Sequence, residues 1–100
     1  MSKYYRITYE DDGIYNALRN NVSMDEWKKL LASKCMTWLP RPKHYSKFNR
    51  SYFTQYGFDV FMHKTMPVIL KYLNSDKIQI HTYNKIERII YEDLYQVITE

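Results

Sequence analysis

The chain contains little cysteine, glycine or proline: one, two and three residues respectively in a length of 100. The single cysteine, Cys35, excludes an intramolecular disulfide and fits a reduced, intracellular setting. The scarcity of glycine and proline indicates that the secondary-structure elements are joined by short connections.

Long apolar runs are also missing, since none approaches the ~20 apolar residues that a transmembrane helix needs. The first ten residues, MSKYYRITYE, contain neither the apolar stretch nor the cleavage site of a secretory signal. We therefore expect a cytoplasmic protein with no membrane-spanning segment.

Motifs for catalysis and metal binding are absent from the sequence. It has no glycine-rich phosphate loop and no G-x-S-x-G nucleophile motif. The three histidines, His44, His63 and His81, lie in different predicted elements without the spacing of metal ligands, so we predict no metal site. These absences favour a binding protein without a cofactor over an enzyme.

What the sequence does contain is the composition of an ordinary globular domain, with 45% hydrophobic and 26% charged residues. Its length suffices for one hydrophobic core but not for two, so we predict a single domain over residues 1–100. The 11 tyrosines suit half-buried strands and contact surfaces, because each combines an apolar ring with a polar hydroxyl. Whether the domain forms a homo-oligomer stays open.

Two helices are predicted in the first third of the chain. Asp12 is the predicted N-cap of a short first helix. The second runs from Met24 to about Lys34, because Ser23 and Glu26 match a capping box in which each side chain bonds the other's backbone amide. The apolar faces that these helices are predicted to bury consist of Ile14, Ala17 and Leu18 in the first and Trp27, Leu30 and Leu31 in the second.

The longest helical pattern runs from Thr54, a predicted N-cap, to Asn74. Pro67 lacks a backbone N–H and predicts a kink or a split into two shorter helices. The predicted core face has apolar residues three or four positions apart, at Phe58, Phe61, Met62, Met66, Ile69 and Leu73.

Alternating β-favourable residues predict strands near both ends of the chain. The predicted strands are Tyr4–Glu10, Lys77–Tyr83, Ile86–Tyr91 and Leu94–Thr99. Glu92 and Asp93 form either a hairpin turn or the start of a last helix, and residues 43–50 are predicted to be a loop. We predict an α+β fold in which three helices pack on one face of a small antiparallel or mixed sheet of three to four strands.

The middle of the chain is basic and aromatic. Between Trp27 and Phe58 it carries seven basic residues and no acidic one, with aromatic residues among them. Basic groups beside stacking rings suit a nucleotide or a nucleic acid, but they also suit an acidic protein surface or a solvated loop whose rings pack into the core. The predicted contact residues are Trp38, Arg41, Lys43, His44, Tyr45, Lys47, Arg50 and Tyr52.

Three short segments are notable for their order along the chain: Tyr5-Arg6-Ile7-Thr8, then Ser51-Tyr52-Phe53-Thr54, then Tyr91 to Gln96. They resemble the motifs of ADP-ribosyltransferases, which carry an Arg or His on an early strand, an aromatic or Ser/Thr motif in the middle and a catalytic Glu on a late strand. The resemblance implies NAD as a bound cosubstrate. Arg6 would hold its phosphates or ribose, Tyr52 or Phe53 would stack on nicotinamide, and Glu92 would stabilise an oxocarbenium-like transition state.

The overall character of the chain is a compact single domain, rich in tyrosine and lysine and without a catalytic motif. It is similar to that of small accessory proteins of phages and mobile elements, many of which inhibit host defence stoichiometrically, as anti-CRISPR proteins do. The favoured prediction is a non-enzymatic binding or inhibitor protein whose basic aromatic middle segment engages an anionic partner, either an acidic protein surface or a nucleotide. The alternative is a compact ADP-ribosyltransferase-like enzyme that uses NAD.

Overall fold

The computed structural model describes residues 3–33 and 49–100. This part of the chain contains six strands and three helical segments, the third of which consists of α3, a π-helical turn and α4. A short 3-10 turn, Ser75–Lys77, precedes β4. The elements are β1 (Tyr4–Tyr9), β2 (Asp12–Gly13), α1 (Ile14–Asn20), α2 (Met24–Ala32), β3 (Arg50–Thr54), α3 (Gln55–Val60), the π turn (Phe61–Thr65), α4 (Met66–Ile69), β4 (Ile78–Tyr83), β5 (Ile89–Glu92) and β6 (Gln96–Thr99).

All strand pairs are antiparallel and belong to one six-stranded sheet. Tyr4 pairs with Tyr83 of β4 and with Thr54 of β3, so these two strands lie on opposite sides of β1. The described sheet therefore has the order β4-β1-β3-β6-β5, with β2 beside the far end of β1. The predicted α+β class, antiparallel sheet and three helices are confirmed, but the sheet has six strands rather than three to four.

The two additional strands are β2 and β3. β2 has only two residues and pairs with β1 across a tight turn. Asp12 belongs to this strand, so its prediction as the cap of α1 is wrong: the N-cap is Gly13, without a side-chain hydrogen bond. β3 leads directly into α3 with no turn residue between them. The short alternating pattern of β3 is therefore hard to separate, in the sequence, from the helical pattern that follows it.

The predicted start of the third helical segment is confirmed, and its α-helical pattern is interrupted by the π turn, two residues before Pro67 rather than at Pro67 itself. The Thr54 hydroxyl accepts a hydrogen bond from the Gly57 amide at 3.1 Å and caps α3. Pro67 is the second residue of α4, directly after the π turn, whose wider spacing accommodates the missing N–H donor. α4 ends at Ile69, earlier than the predicted Asn74.

α2 forms half of its predicted capping box. The Ser23 hydroxyl accepts from the Glu26 amide at 3.1 Å. The Glu26 carboxylate points away from Ser23 and accepts a hydrogen bond from the Tyr72 hydroxyl at 3.0 Å. Leu30 is buried and Trp27 packs against the core, whereas Leu31 is 49% exposed, contrary to the prediction.

The hydrophobic core lies between the helices and one face of the sheet, the face that carries Tyr5, Ile7 and Phe53. Side chains alternate along a strand, so Tyr4, Arg6 and Thr8 point away from the helices, toward what we call the second face. The predicted core face of the third helical segment is confirmed. The buried apolar residues of this core are Ile7, Ile14, Ala17, Leu18, Leu30, Phe53, Phe61, Met66, Ile69 and Leu73.

Candidate functional site

The second face of the sheet combines basic, polar and aromatic side chains. Residues directly opposite one another in antiparallel strands point to the same face. The register therefore adds the partners of Tyr4, Arg6 and their neighbours to this face. They are Tyr83, His81, Arg50, Tyr52, Thr54, Val97, Thr99 and Glu92.

A cavity lies on this face where the β4–β5 connection crosses it. β4 and β5 are at opposite edges of the described sheet, so residues 84–88 must pass over the strands between them. Residues 85–88, Thr99 of β6, Glu100 and the rings of Tyr52 and Tyr83 line an open cavity of about 330 Å³. This crossing converts an open sheet face into a concave site.

Two tyrosines form the aromatic wall of the cavity. The rings of Tyr52 and Tyr83 lie with their centroids 5.1 Å apart at an angle of 82°, which is an edge-to-face contact. Both side chains are half-buried. Their hydroxyls make no hydrogen bond to the part of the chain that the structure describes.

The charged residues of the cavity lie in the crossing segment and at Glu100. Arg88 has a φ of 58°, the left-handed conformation that non-glycine residues seldom adopt. Its carbonyl accepts a hydrogen bond from the Glu100 amide at 2.9 Å, while its exposed guanidinium has no ion-pair partner among residues 3–33 and 49–100. Lys85 and Glu87 lie 3.8 Å apart, both more than three-quarters exposed, so this ion pair contributes little to stability.

Farther along β1, two polar contacts fix the side chains of the second face. Arg6 Nη1 donates to the carbonyl oxygen of Ser51 at 3.2 Å. The Thr8 hydroxyl and His81 Nε2 are 3.0 Å apart. The guanidinium of Arg6 is therefore held beside β3, one residue from Tyr52.

Two of the predicted contact residues lie on the second face. Arg50 is exposed at the start of β3, and Tyr52 forms part of the cavity wall. The other predicted contact residues lie outside the described residues: Trp38, Arg41, Lys43, His44, Tyr45 and Lys47.

Sequence reasoning missed Tyr83, Lys85 and Arg88. The segment Tyr83-Asn84-Lys85-Ile86-Glu87-Arg88 also contains aromatic, apolar and charged residues close together, and this composition is the one signal in the sequence for a contact surface there. It gave no indication of contact with Tyr52, because that contact depends on strand order across the sheet.

The three residues of the transferase resemblance lie on the same face. Tyr52 and Glu92 both pair with Val97 of β6, one from each side, and Arg6 bonds the residue before Tyr52. Phe53 points the other way and packs on Phe61 in the core, with ring centroids 4.9 Å apart. A role for Phe53 in stacking on nicotinamide is therefore wrong, and Tyr52 is the ring that this reading retains.

Comparison with known proteins yields no match: no protein-family model, no curated protein and no solved structure is similar to the chain. Over residues 3–33 and 49–100, every helix is too short or too polar to cross a membrane. In the same residues, histidine, cysteine and carboxylate side chains do not gather in threes as a metal ion would require.

Proposed function

We propose that the protein is a small non-enzymatic binding protein that engages an anionic partner through its basic aromatic middle segment and the adjoining second face of the sheet. The observation that carries this proposal is the position of Arg50 and Tyr52. Both belong to the middle segment, and both lie on the face that the helices leave uncovered, with Tyr52 at the cavity. An inhibitory role of the phage-accessory type stays a prediction from the overall character of the chain.

The chemistry of this surface supports an anionic partner. A guanidinium such as that of Arg50 can form two parallel hydrogen bonds with a phosphate or a carboxylate. The ring of Tyr52 adds apolar contact area with a hydroxyl that still has hydrogen-bonding capacity. The net charge of +4 attracts anions at long range and increases the rate of encounter.

The proposal is tested with a variant in which Arg41, Lys43, Lys47 and Arg50 are all replaced by Ser. Fluorescence anisotropy is measured with two labelled anions, a single-stranded oligonucleotide and a poly-glutamate peptide, at several salt concentrations. We expect the variant to bind the preferred anion at least ~10-fold more weakly and with a shallower dependence on salt, because fewer counterions are released. Thermal unfolding of the variant is measured alongside, and an unchanged midpoint shows that a loss of affinity is not a loss of fold.

A matched control variant has Ser in place of four exposed cationic residues on the helical side of the molecule: Arg19, Lys28, Lys64 and Lys71. The net charge changes equally in both variants. If both lose affinity equally, general charge and not the middle segment explains binding. If the wild-type protein binds neither anion, the proposed function is wrong.

A second candidate is an ADP-ribosyltransferase-like activity, which the shared face of Arg6, Tyr52 and Glu92 favours. In this reading Glu92 stabilises positive charge that develops on the ribose of NAD. We expect nicotinamide release from NAD by the wild-type protein to be abolished in Glu92→Gln and in Arg6→Ala. Asp25→Asn, which neutralises an exposed carboxylate on α2, is the control. A wild-type protein that leaves NAD intact would exclude this candidate.

A further inference from the structure

We infer that the cavity between Tyr52, Tyr83 and residues 85–88 binds a single nucleotide, with the base against the two rings and the phosphate on Arg88. This inference rests on the proposed function and narrows its partner to one chemical class. Four features of the cavity support it: its size, its aromatic wall, its mixture of charges and the backbone conformation of Arg88.

The size of the cavity selects a small ligand. Sites for small molecules usually enclose roughly 300–1,000 Å³, and this one, at about 330 Å³, lies at the lower end of that range. It suits one nucleoside unit with its phosphate at the mouth. A folded acidic protein surface has no group of this shape to insert, whereas a nucleotide does.

The aromatic wall matches a flat heterocycle. Because the rings of Tyr52 and Tyr83 are nearly perpendicular, a base can stack on one ring while its edge meets the other. Each hydroxyl can donate one hydrogen bond and accept others, and neither is used by the described protein. One bound base can therefore stack on a tyrosine ring and also form hydrogen bonds along its edge.

The charges around the cavity favour a nucleotide over a simple polyanion. Arg88 and Lys85 offer cations to a phosphate, and Arg88 has the planar fork that bonds two phosphate oxygens at once. Glu87 and Glu100, in the same lining, would repel a plain polyphosphate, but their carboxylates can accept hydrogen bonds from a sugar hydroxyl or a base amino group. A nucleoside monophosphate presents both kinds of group.

The backbone of Arg88 provides an independent indication. Its φ of 58° is energetically unfavourable for a residue with a side chain, and strained residues of this kind occur preferentially at functional sites. A glycine would adopt this conformation without strain. Stability alone would therefore not favour an arginine at this position. Its side chain lines the cavity, and among the described lining residues it is the one guanidinium group.

The experiment measures binding of the four common nucleoside monophosphates by isothermal titration calorimetry, with adenosine and inorganic phosphate as partial ligands. The test variants are Tyr83→Leu and Arg88→Gly. Their controls are Tyr72→Leu, an exposed tyrosine on the helical side, and Glu10→Gly, the other described non-glycine residue with a positive φ. We expect at least one monophosphate to bind the wild-type protein.

In both test variants that affinity should fall by at least ~10-fold, a change of about 1.4 kcal/mol, while the controls keep it. Arg88→Gly should lose affinity without a lower unfolding temperature, because the substitution removes backbone strain; this outcome separates a lost contact from a lost fold. Adenosine and inorganic phosphate should each bind more weakly than the combined ligand.

The inference is overturned if no monophosphate binds at millimolar concentration, or if Tyr83→Leu and Arg88→Gly bind as well as the wild type. Its failure is distinguishable from that of the proposed function. A protein that binds the labelled oligonucleotide or poly-glutamate but no monophosphate retains the proposed function and loses this site. A protein that binds none of these anions loses both.

Discussion

At the scale of the residue, Gly57 shows how closely two elements approach. It is buried in the first turn of α3, and a Cβ atom built on it would lie 1.9 Å from the carbonyl oxygen of Tyr95. That same oxygen accepts a hydrogen bond from the Thr54 amide at 3.0 Å. The strand-to-helix junction and the turn before β6 therefore touch through their backbones, and only glycine permits this contact.

We predict that Gly57→Ala destabilises the protein by about 2–3 kcal/mol or more, because the added methyl group must displace backbone and not a flexible side chain. Gly13→Ala is the control: its Cβ would meet Arg6 Nη2 at 3.8 Å, an ordinary contact, and because Gly13 is the N-cap of α1 a loss of no more than about 1 kcal/mol is expected. Urea unfolding followed by circular dichroism measures both. Equal midpoints for the two variants would contradict the close approach.

The tyrosines also differ at this scale in ways that composition does not reveal. Tyr5 stacks on Phe58 with ring centroids 4.0 Å apart, and its hydroxyl donates to Gln55 Oε1 at 2.6 Å. It is thus a packing residue with a satisfied hydroxyl. Tyr52 and Tyr83 instead pair with each other at a cavity, and their hydroxyls form no hydrogen bond with residues 3–33 or 49–100.

At the scale of the element, the β5–β6 hairpin is organised by one carboxylate. Asp93 Oδ1 accepts hydrogen bonds from the amides of Tyr95 at 2.8 Å and Gln96 at 2.9 Å, and Oδ2 accepts from the Tyr91 hydroxyl at 3.0 Å. The last of these bonds raises the pKa of Tyr91, because the neighbouring carboxylate stabilises the protonated phenol. The sequence left open whether Asp93 begins a turn or a helix, and these bonds define a turn.

We expect Asp93→Ala to cost about 1–3 kcal/mol of unfolding free energy, because three donors lose their acceptor. Asp93→Asn keeps one side-chain oxygen and should cost less. Glu92→Ala, at the exposed neighbouring residue, is the control, with a change within about 0.5 kcal/mol. Chemical denaturation measures all three. A loss in Glu92→Ala as large as that in Asp93→Ala would show that the turn does not depend on this carboxylate.

Elements whose pattern is local could be predicted from the sequence. The Ser23 and Thr54 caps and the apolar face of the third helical segment depend on residues within a few positions of one another. β3 could not be recognised, because its extended backbone is stabilised by β1 and β6, strands from opposite ends of the chain. The cavity was unpredictable for the same reason, since it requires the strand order that brings Tyr83 beside Tyr52.

At the scale of the whole molecule, ionisation of tyrosine sets a limit to stability at high pH. Tyr15 belongs to α1, and its ring packs edge-to-face against Phe61 of the π turn, with ring centroids 5.7 Å apart. Burial raises the pKa of Tyr15 far above its ordinary value, and a hydrogen bond with the Thr65 side chain opposes part of that shift. The pKa of Tyr72 is also raised, first by its hydrogen bond to Glu26. The folded protein therefore retains protons that the unfolded chain releases.

Because the folded pKa of Tyr15 exceeds the unfolded value of about 10, its contribution to stability is complete below about pH 10 and is lost as pH rises toward the folded pKa. We predict that unfolding free energy falls above that pH, with Tyr15 contributing a slope of up to about 1.4 kcal/mol per pH unit. Tyr15→Phe removes this ionisation and should flatten the alkaline slope, at a cost near neutral pH of about 1 kcal/mol for the lost hydrogen bond. Urea midpoints measured from neutral pH to about pH 11.5, beyond the unfolded tyrosine pKa, provide the test, and Tyr72→Phe, at an exposed phenol, should flatten the slope less than Tyr15→Phe does. Parallel pH profiles for the wild type and Tyr15→Phe would show that burial of this phenol does not limit stability.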